Sequence, residues 1–180
     1  MSFHHVAFAT RDLKANHEFY TRAMGFQLAK VVAAPTEAGM KDGRGWSKHL
    51  FYDTGDGSLI AFWDLHDETI PADFPTAISE GIGLPVWVNH LAFDAPTLDA
   101  LNAHKTRWLD YGLDVLEVDH GFCVSIYTRD PNGILVEFCT TTKPLDEADA
   151  REAEALLVDP HPPLESPAPV KLHRAKARAR

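Results

Sequence analysis

The chain has 180 residues, 45% hydrophobic and 24% charged, with 26 acidic against 17 basic side chains and a net charge of −9. That length suits one compact domain or two half-size modules sharing a core. The acidic balance disfavours nucleic acid as a partner, no apolar run approaches the roughly 20 residues of a membrane span, and Arg11-Asp12 come too early for a signal peptide.

Residues 3–9 read as a strand with Phe3, His5, Ala7 and Ala9 on one face. A helix follows, with Leu13, Tyr20, Ala23 and Met24 along one side and Gly25 placed to end it. Apolar strands come next, with a tight turn at Asp53–Gly57 before the segment GSLIAF at 57–62. Residues 64–87, broken by Pro71, Pro75 and Pro85, form an irregular connector. The pattern then repeats. Val88, His90, Ala92 and Asp94 share a strand face; Thr97 caps a helix striped by Leu98, Leu101, Trp108 and Leu109; Gly112 follows it. After a second turn at Arg129–Gly133, GILVEF at 133–138 matches GSLIAF.

The chain is thus one βαβββ module written twice: module one at 1–63, connector at 64–87, module two at 88–142. Neither module can bury its sheet face alone. The expected class is α+β, with two paired βαβββ modules forming a curved, partly open, barrel-like sheet around a cavity. Residues 143–180 differ in character. LDEADAREAEALL at 145–157 predicts an acidic helix starting at Asp146, and residues 158–170 hold five prolines and favour extended geometry. Residues 171–180 hold five of the 17 basic residues and no acid, leaving residues 1–170 with 12 basic against 26 acidic side chains, a net −14. This tail is expected to be a mobile, solvated extension; the sharper alternative is that it wraps a partner subunit.

Strand parity selects the chemistry. The repeat makes His5 and His90 equivalent, so both should face one cavity. On the last strand Leu135, Glu137 and Cys139 share a face, while Val136 and Phe138 suit a helix-packed layer. A carboxylate among apolar neighbours needs a cationic partner. Two neutral imidazoles and one carboxylate suit a divalent metal and leave coordination positions open. His4 has the opposite parity and is placed on the outer face. His17, His66, His104, His161 and His173 read as surface residues, and Cys139 as a small apolar neighbour of the site. With Cys123 the only other cysteine, no disulfide scaffold is expected and a reducing cytoplasm is the default.

The paired modules, the openings HHVAF and NHLAF and the run SIYTRDPNGILVEF resemble the vicinal oxygen chelate superfamily, over residues 3 to about 141. That group includes glyoxalase I, fosfomycin and bleomycin resistance proteins, methylmalonyl-CoA epimerase and type I extradiol dioxygenases. Its four metal positions map to His5, Ala61, His90 and Glu137. Alanine cannot bind metal, so the resemblance implies three ligands: His5, His90 and Glu137. This is the pattern of extradiol dioxygenases, which hold Fe(II); Mn(II), Zn(II) and Ni(II) are the alternatives. The expected function is therefore a one-domain extradiol dioxygenase opening a catechol-type or biaryl ring with O2, with a small aromatic diol as partner and a homodimer as the assembly. Tyr127, at the spacing where such enzymes carry a tyrosine, would position substrate, and His120 or His49 would move protons. Aligning the glycines of the two modules turns His49 inward opposite Ala61, whereas aligning the tyrosines turns it outward. Phe51, Phe62, Trp63, Phe74, Trp87 and Phe122 are candidates for an aromatic wall. The competing readings are a Mn-, Ni- or Zn-dependent lyase, isomerase or thiol transferase, and a resistance-type protein that binds an aromatic compound without turnover.

Overall fold

A computed structural model describes residues 3–36 and 45–175. The first module supplies β1 (His5–Thr10), α1 (Leu13–Glu18), β2 (Gln27–Pro35), β3 (Gly45–Asp53) and β4 (Leu59–Asp67). The second supplies β5 (His90–Asp94), α2 (Leu98–Tyr111), β6 (Val115–Asp119), β7 (Cys123–Arg129) and β8 (Leu135–Thr141), after which come α3 (Glu147–Val158) and β9 (Val170–His173). The strands form a four-stranded sheet ordered β1-β4-β3-β2 and a five-stranded sheet ordered β5-β8-β7-β6-β9. Leaving β9 aside, the two orders are the same, as duplication requires. The fold is α+β with two sheets, and no closed barrel occurs among the described residues.

The chain packs as two compact units: Met1–Phe93 with Thr128–Val136, and Asp94–Tyr127 with Glu137–Arg180. In the first, Leu50, Tyr52, Ile60 and Phe62 form the buried face of β3 and β4, with the Tyr20 ring 4.5 Å from Phe62 and 5.9 Å from Tyr52. The first helix is shorter than its pattern implies. After α1, residues Phe19–Ala23 widen into a π-turn in which the Met24 amide reaches back to the Phe19 carbonyl. The extra residue lets Phe19, Tyr20, Ala23 and Met24 all point into the core, whereas Leu13 is only half-buried.

Beneath this layer the DPNG turn is clamped by polar contacts. Asp130 is buried and accepts hydrogen bonds from the Tyr20 hydroxyl (3.0 Å), the Asn132 and Ile134 amides (2.9 and 2.8 Å) and the Asn132 side chain (2.8 Å). Burial nevertheless pushes the Asp130 carboxyl up, and burial plus the Asp130 charge push the Tyr20 phenol well up. Gly133 holds φ near 82°, and a Cβ there would meet Ala77 Cβ at 3.0 Å, so the turn needs glycine for both reasons.

In the second unit α2 starts and stops where its sequence signals it. The Thr97 side chain accepts from the Ala100 amide at 3.1 Å, and Gly112 closes the helix at φ 100° with amide bonds back to Trp108 and Leu109. Leu101 and Trp108 are buried, while Leu98 stands out in solvent. Phe138 packs on Trp108 at 5.3 Å, as its strand parity implies. His104 is not a surface residue: its ring stacks on Phe138 at 3.7 Å, because the helix face that covers β8 passes through position 104. Burial, and then the Arg107 charge, lower its pKa to about 4.

The tail departs further from expectation. α3 begins with a capping box between Asp146 and Asp149, but residues 170–173 of the supposedly mobile extension pair with β6 as an edge strand. Positions 176–180 of the basic decamer lie outside the described residues. Among the described residues no helix is long and apolar enough to cross a membrane.

Candidate functional site

In the first unit, β1 runs parallel to β4 with His5 opposite Leu59 and Ala7 opposite Ala61; β3 runs antiparallel to β4 with Phe51 opposite Ala61 and His49 opposite Trp63. Residues of odd number on all three strands therefore share the face away from Tyr20, and His5, His49, Phe51 and Trp63 meet there. The His49 ring stacks on Trp63 at 3.7 Å and lies 4.1 Å from Phe51 and 6.0 Å from His5; His5 lies 5.4 Å from Phe51. His49 thus faces the His5 side, as the glycine alignment requires, but opposite Trp63 instead of Ala61. Its Nε2 is buried without a hydrogen-bond partner, and burial followed by the nearby His5 lowers its pKa. Phe62, by parity, belongs to the opposite face and to the core.

His4 does not lie apart from His5. The chain bends at residue 4 before β1 begins, so strand parity does not apply there, and the two Nδ1 atoms are 2.8 Å apart. One ring must donate to the other. His90 opens β5, and its Nδ1 lies 2.9 Å from the Trp87 carbonyl. Because a carbonyl can only accept, this bond puts the proton on Nδ1 and the lone pair on Nε2. That is the tautomer and the type of supporting contact found on metal-ligating histidines.

In the second unit, Glu137 is buried on β8 at 5% exposure and hydrogen-bonds with Tyr127 of β7. The Tyr127 hydroxyl also lies 3.0 Å from His120 Nε2, at the turn into β7. Burial, reinforced by the Glu137 charge, pushes the Tyr127 phenol up to about 12 although Ser125 opposes it, so the hydroxyl keeps its proton. Ser125 and Cys123 complete the neighbourhood, with Cys123 Sγ 3.9 Å from Ser125 Oγ. Burial raises the Cys139 thiol to about 11, which leaves it protonated and inert as a nucleophile.

Each unit therefore holds part of the expected site: His5, His49 and His90 in the first, and His120, Tyr127 and Glu137 in the second. Among the described residues no three His, Cys, Asp or Glu side chains are grouped as a bound ion would need. The donor set itself suits a divalent metal, with an imidazole whose tautomer is fixed at His90 and a buried carboxylate at Glu137. Sequence reasoning missed the partnership of His4 with His5, whereas hairpin counting places Ser125 on the face of Tyr127 and Glu137, where it is found. Only the histidine doublet gave a signal for that partnership.

Comparison with known proteins places the fold. No curated protein matches the chain significantly. Among solved structures, a glyoxylase/bleomycin resistance protein/dioxygenase domain from Frankia sp. EAN1pec is 19% identical with a TM-score of 0.53, covering 78% of this chain and 98% of its own. A genomically encoded fosfomycin resistance protein from Listeria monocytogenes is 16% identical with a TM-score of 0.54, covering 79% and 94%. A candidate dioxygenase from Bacillus subtilis subsp. subtilis str. 168 is 17% identical with a TM-score of 0.57, covering 78% of this chain but 40% of its own. At such identities the likeness is one of fold. Residues 2–138 match the profile of the Glyoxalase/Bleomycin resistance protein/Dioxygenase superfamily, a group that includes metalloenzymes, and the chain belongs to that superfamily.

Proposed function

We propose that the chain is a metal-dependent extradiol dioxygenase acting on a catechol-type ring, with His5, His90 and Glu137 holding Fe(II). The observation that carries this reading is the His120–Tyr127 pair at 3.0 Å beside the buried Glu137. A diol substrate presents two adjacent oxygens and must lose protons as it binds. As substrate binds, Tyr127 turns its one hydroxyl proton from Glu137 to one of these oxygens, and His120, joined to the tyrosine, takes up and returns a proton. The aromatic surface of Trp63, Phe51 and His49 offers a face on which a planar ring stacks. When bound, the metal would supply charge to stabilise the ionised diol and open positions for diol and O2. His90, oriented by the Trp87 carbonyl, and the buried Glu137 would hold that ion.

The test is elemental analysis together with turnover. Protein loaded anaerobically with Fe(II) should bind about one equivalent, consume O2 and give a yellow ring-fission product from at least one of several simple or biaryl catechols. His90→Ala and Glu137→Gln should lose the iron, whereas Tyr127→Phe should keep it and turn over roughly 100-fold more slowly. Iron retained in the ligand variants would overturn the triad. A metal-loaded protein indifferent to O2 and to every catechol would overturn the dioxygenase reading and favour a lyase, isomerase or transferase.

A further inference from the structure

The C-terminal arm is accounted for neither by the duplicated modules nor by the site. No residue of α3 is buried, and Leu156, Leu157, Val158 and Leu164 stand 37%, 84%, 79% and 92% exposed. An isolated helix of 12 residues is marginal in water, and this one leaves its apolar residues uncovered. Residues 159–169 continue with five prolines and stay almost wholly in solvent. The strand they lead to is, by contrast, firmly held. β9 pairs antiparallel with β6 (Leu116 opposite Leu172, Glu117 opposite Lys171), and the Asp119 amide donates to the Pro169 carbonyl at 3.1 Å. Glu117 takes Lys105 at 2.7 Å and His173 at 3.0 Å, with Lys171 at 3.6 Å. Asp114 pairs with Arg174 and accepts the Ala175 amide at 2.9 Å. A well-anchored strand thus hangs on a spacer that is held, among the described residues, only at its last one, Pro169.

We propose that β9 is exchanged between two copies of this chain, each arm laying its β9 on the partner's β6 to form a two-fold dimer. Exchange keeps every β6–β9 hydrogen bond and ion pair and alters only the course of the arm, which is why it is a low-cost route to dimers. The 11 residues from 159 to 169, at about 3.1 Å each in extended polyproline geometry, reach roughly 34 Å, about the width of a small domain. Charge suits a second copy as well as it suits the parent chain, and the reach of the spacer brings a second copy within range. Residues 171–180 carry five basic side chains and no acid, while residues 1–170 carry a net −14, so each body attracts the other's tail. Paired arms would also cover one another's Leu156, Leu157, Val158 and Leu164.

The test uses full-length chains with two different affinity tags, co-expressed, one carrying Leu116→Cys and the other Leu172→Cys. Because Asp119 and Pro169 form a hydrogen-bonded pair, the alternation of an antiparallel ladder makes 116 and 172 a non-hydrogen-bonded pair, with Cα atoms close enough for a disulfide. Strand exchange predicts a covalent heterodimer after mild oxidation, absent from tagged wild-type chains that retain Cys123 and Cys139. Leu116→Cys/Leu172→Cys in one chain, closing within that chain and running at monomer mass, would overturn the proposal. Light scattering gives an independent readout: the wild-type chain should have twice the monomer mass at micromolar concentration, and Leu172→Pro should reduce it to monomer. A monomeric wild type, or a dimer indifferent to Leu172→Pro, would equally overturn it.

Discussion

His104 makes acid stability testable at one residue. Its ring lies flat on Phe138 at 3.7 Å, and Arg107 Nη1 donates to its Nδ1 at 2.9 Å, an arrangement that only neutral imidazole accepts. The folded-state pKa is lowered from 6.5 to about 4, by burial first and Arg107 second. Above pH 6.5 the ring is neutral in both states and contributes nothing to pH dependence. As pH falls below 6.5, the unfolded chain takes up a proton that the folded chain refuses, so stability is lost until about pH 4 and is flat below it. At 1.36 kcal/mol per unit, the full shift corresponds to about 3.4 kcal/mol. The ring is partly open to solvent, which screens it, and a realistic loss is about 1.5 kcal/mol. His104→Gln keeps an acceptor for Arg107 and does not titrate. Urea denaturation of both proteins at pH 7.0 and 4.5 should give a wild type that loses about 1.5 kcal/mol more than the variant over that interval. Parallel losses would refute the reasoning, since they would mean that His104 charges freely in the folded state.

Three further outcomes follow from the same kind of accounting. Tyr20→Phe removes the hydroxyl that donates to the buried Asp130 and should cost about 1–3 kcal/mol, read as a lowered urea midpoint with unchanged m-value. Gly112→Ala places a Cβ at φ 100° and should cost about 1 kcal/mol, visible as a drop of several degrees in Tm. Glu117 is held below the ordinary carboxylate range by Lys105 first and His173 later in order. Its contribution is therefore present above the unfolded pKa and lost as pH falls through the folded one, so Glu117→Gln should flatten the acid limb of the stability curve below about pH 4.5.

Much of the fold was legible because duplication supplies an internal control. The capping Thr97, the terminal Gly112 and the buried Phe138 follow from local chemistry, and the twin strand orders follow from the repeat. What escaped depends on events that no local pattern encodes. The π-turn at Phe19–Ala23 is a choice of the core, which takes two adjacent pairs of side chains inward, Phe19 with Tyr20 and Ala23 with Met24. Periodicity assigned His104 to solvent because histidine is polar, yet a neutral imidazole stacks on phenylalanine as readily as an apolar ring. β9 was hidden because KLH carries charge at its first position, and it is the facing acids Glu117 and Asp114 that turn a basic tail into a strand.

The same parity divides structure from chemistry on each strand. In the first unit Leu50, Tyr52, Ile60 and Phe62 point toward Tyr20 and are nearly inaccessible, while His49, Phe51 and Trp63, one residue away on the same strands, meet His5 on the other side. In the second unit Phe138 packs under α2, while its neighbours Glu137 and Cys139 belong to the Tyr127 side. A one-residue slip of any of these strands would exchange the two sets, turning the imidazoles and the carboxylate to the side now held by the apolar residues and those residues away from it. Register is therefore fixed by the apolar set, and the polar set inherits its position at no further cost in sequence. On this logic, substitutions at 50, 52, 60, 62 and 138 act on the packed core of each unit, whereas those at 49, 51 and 63 act on the opposite face.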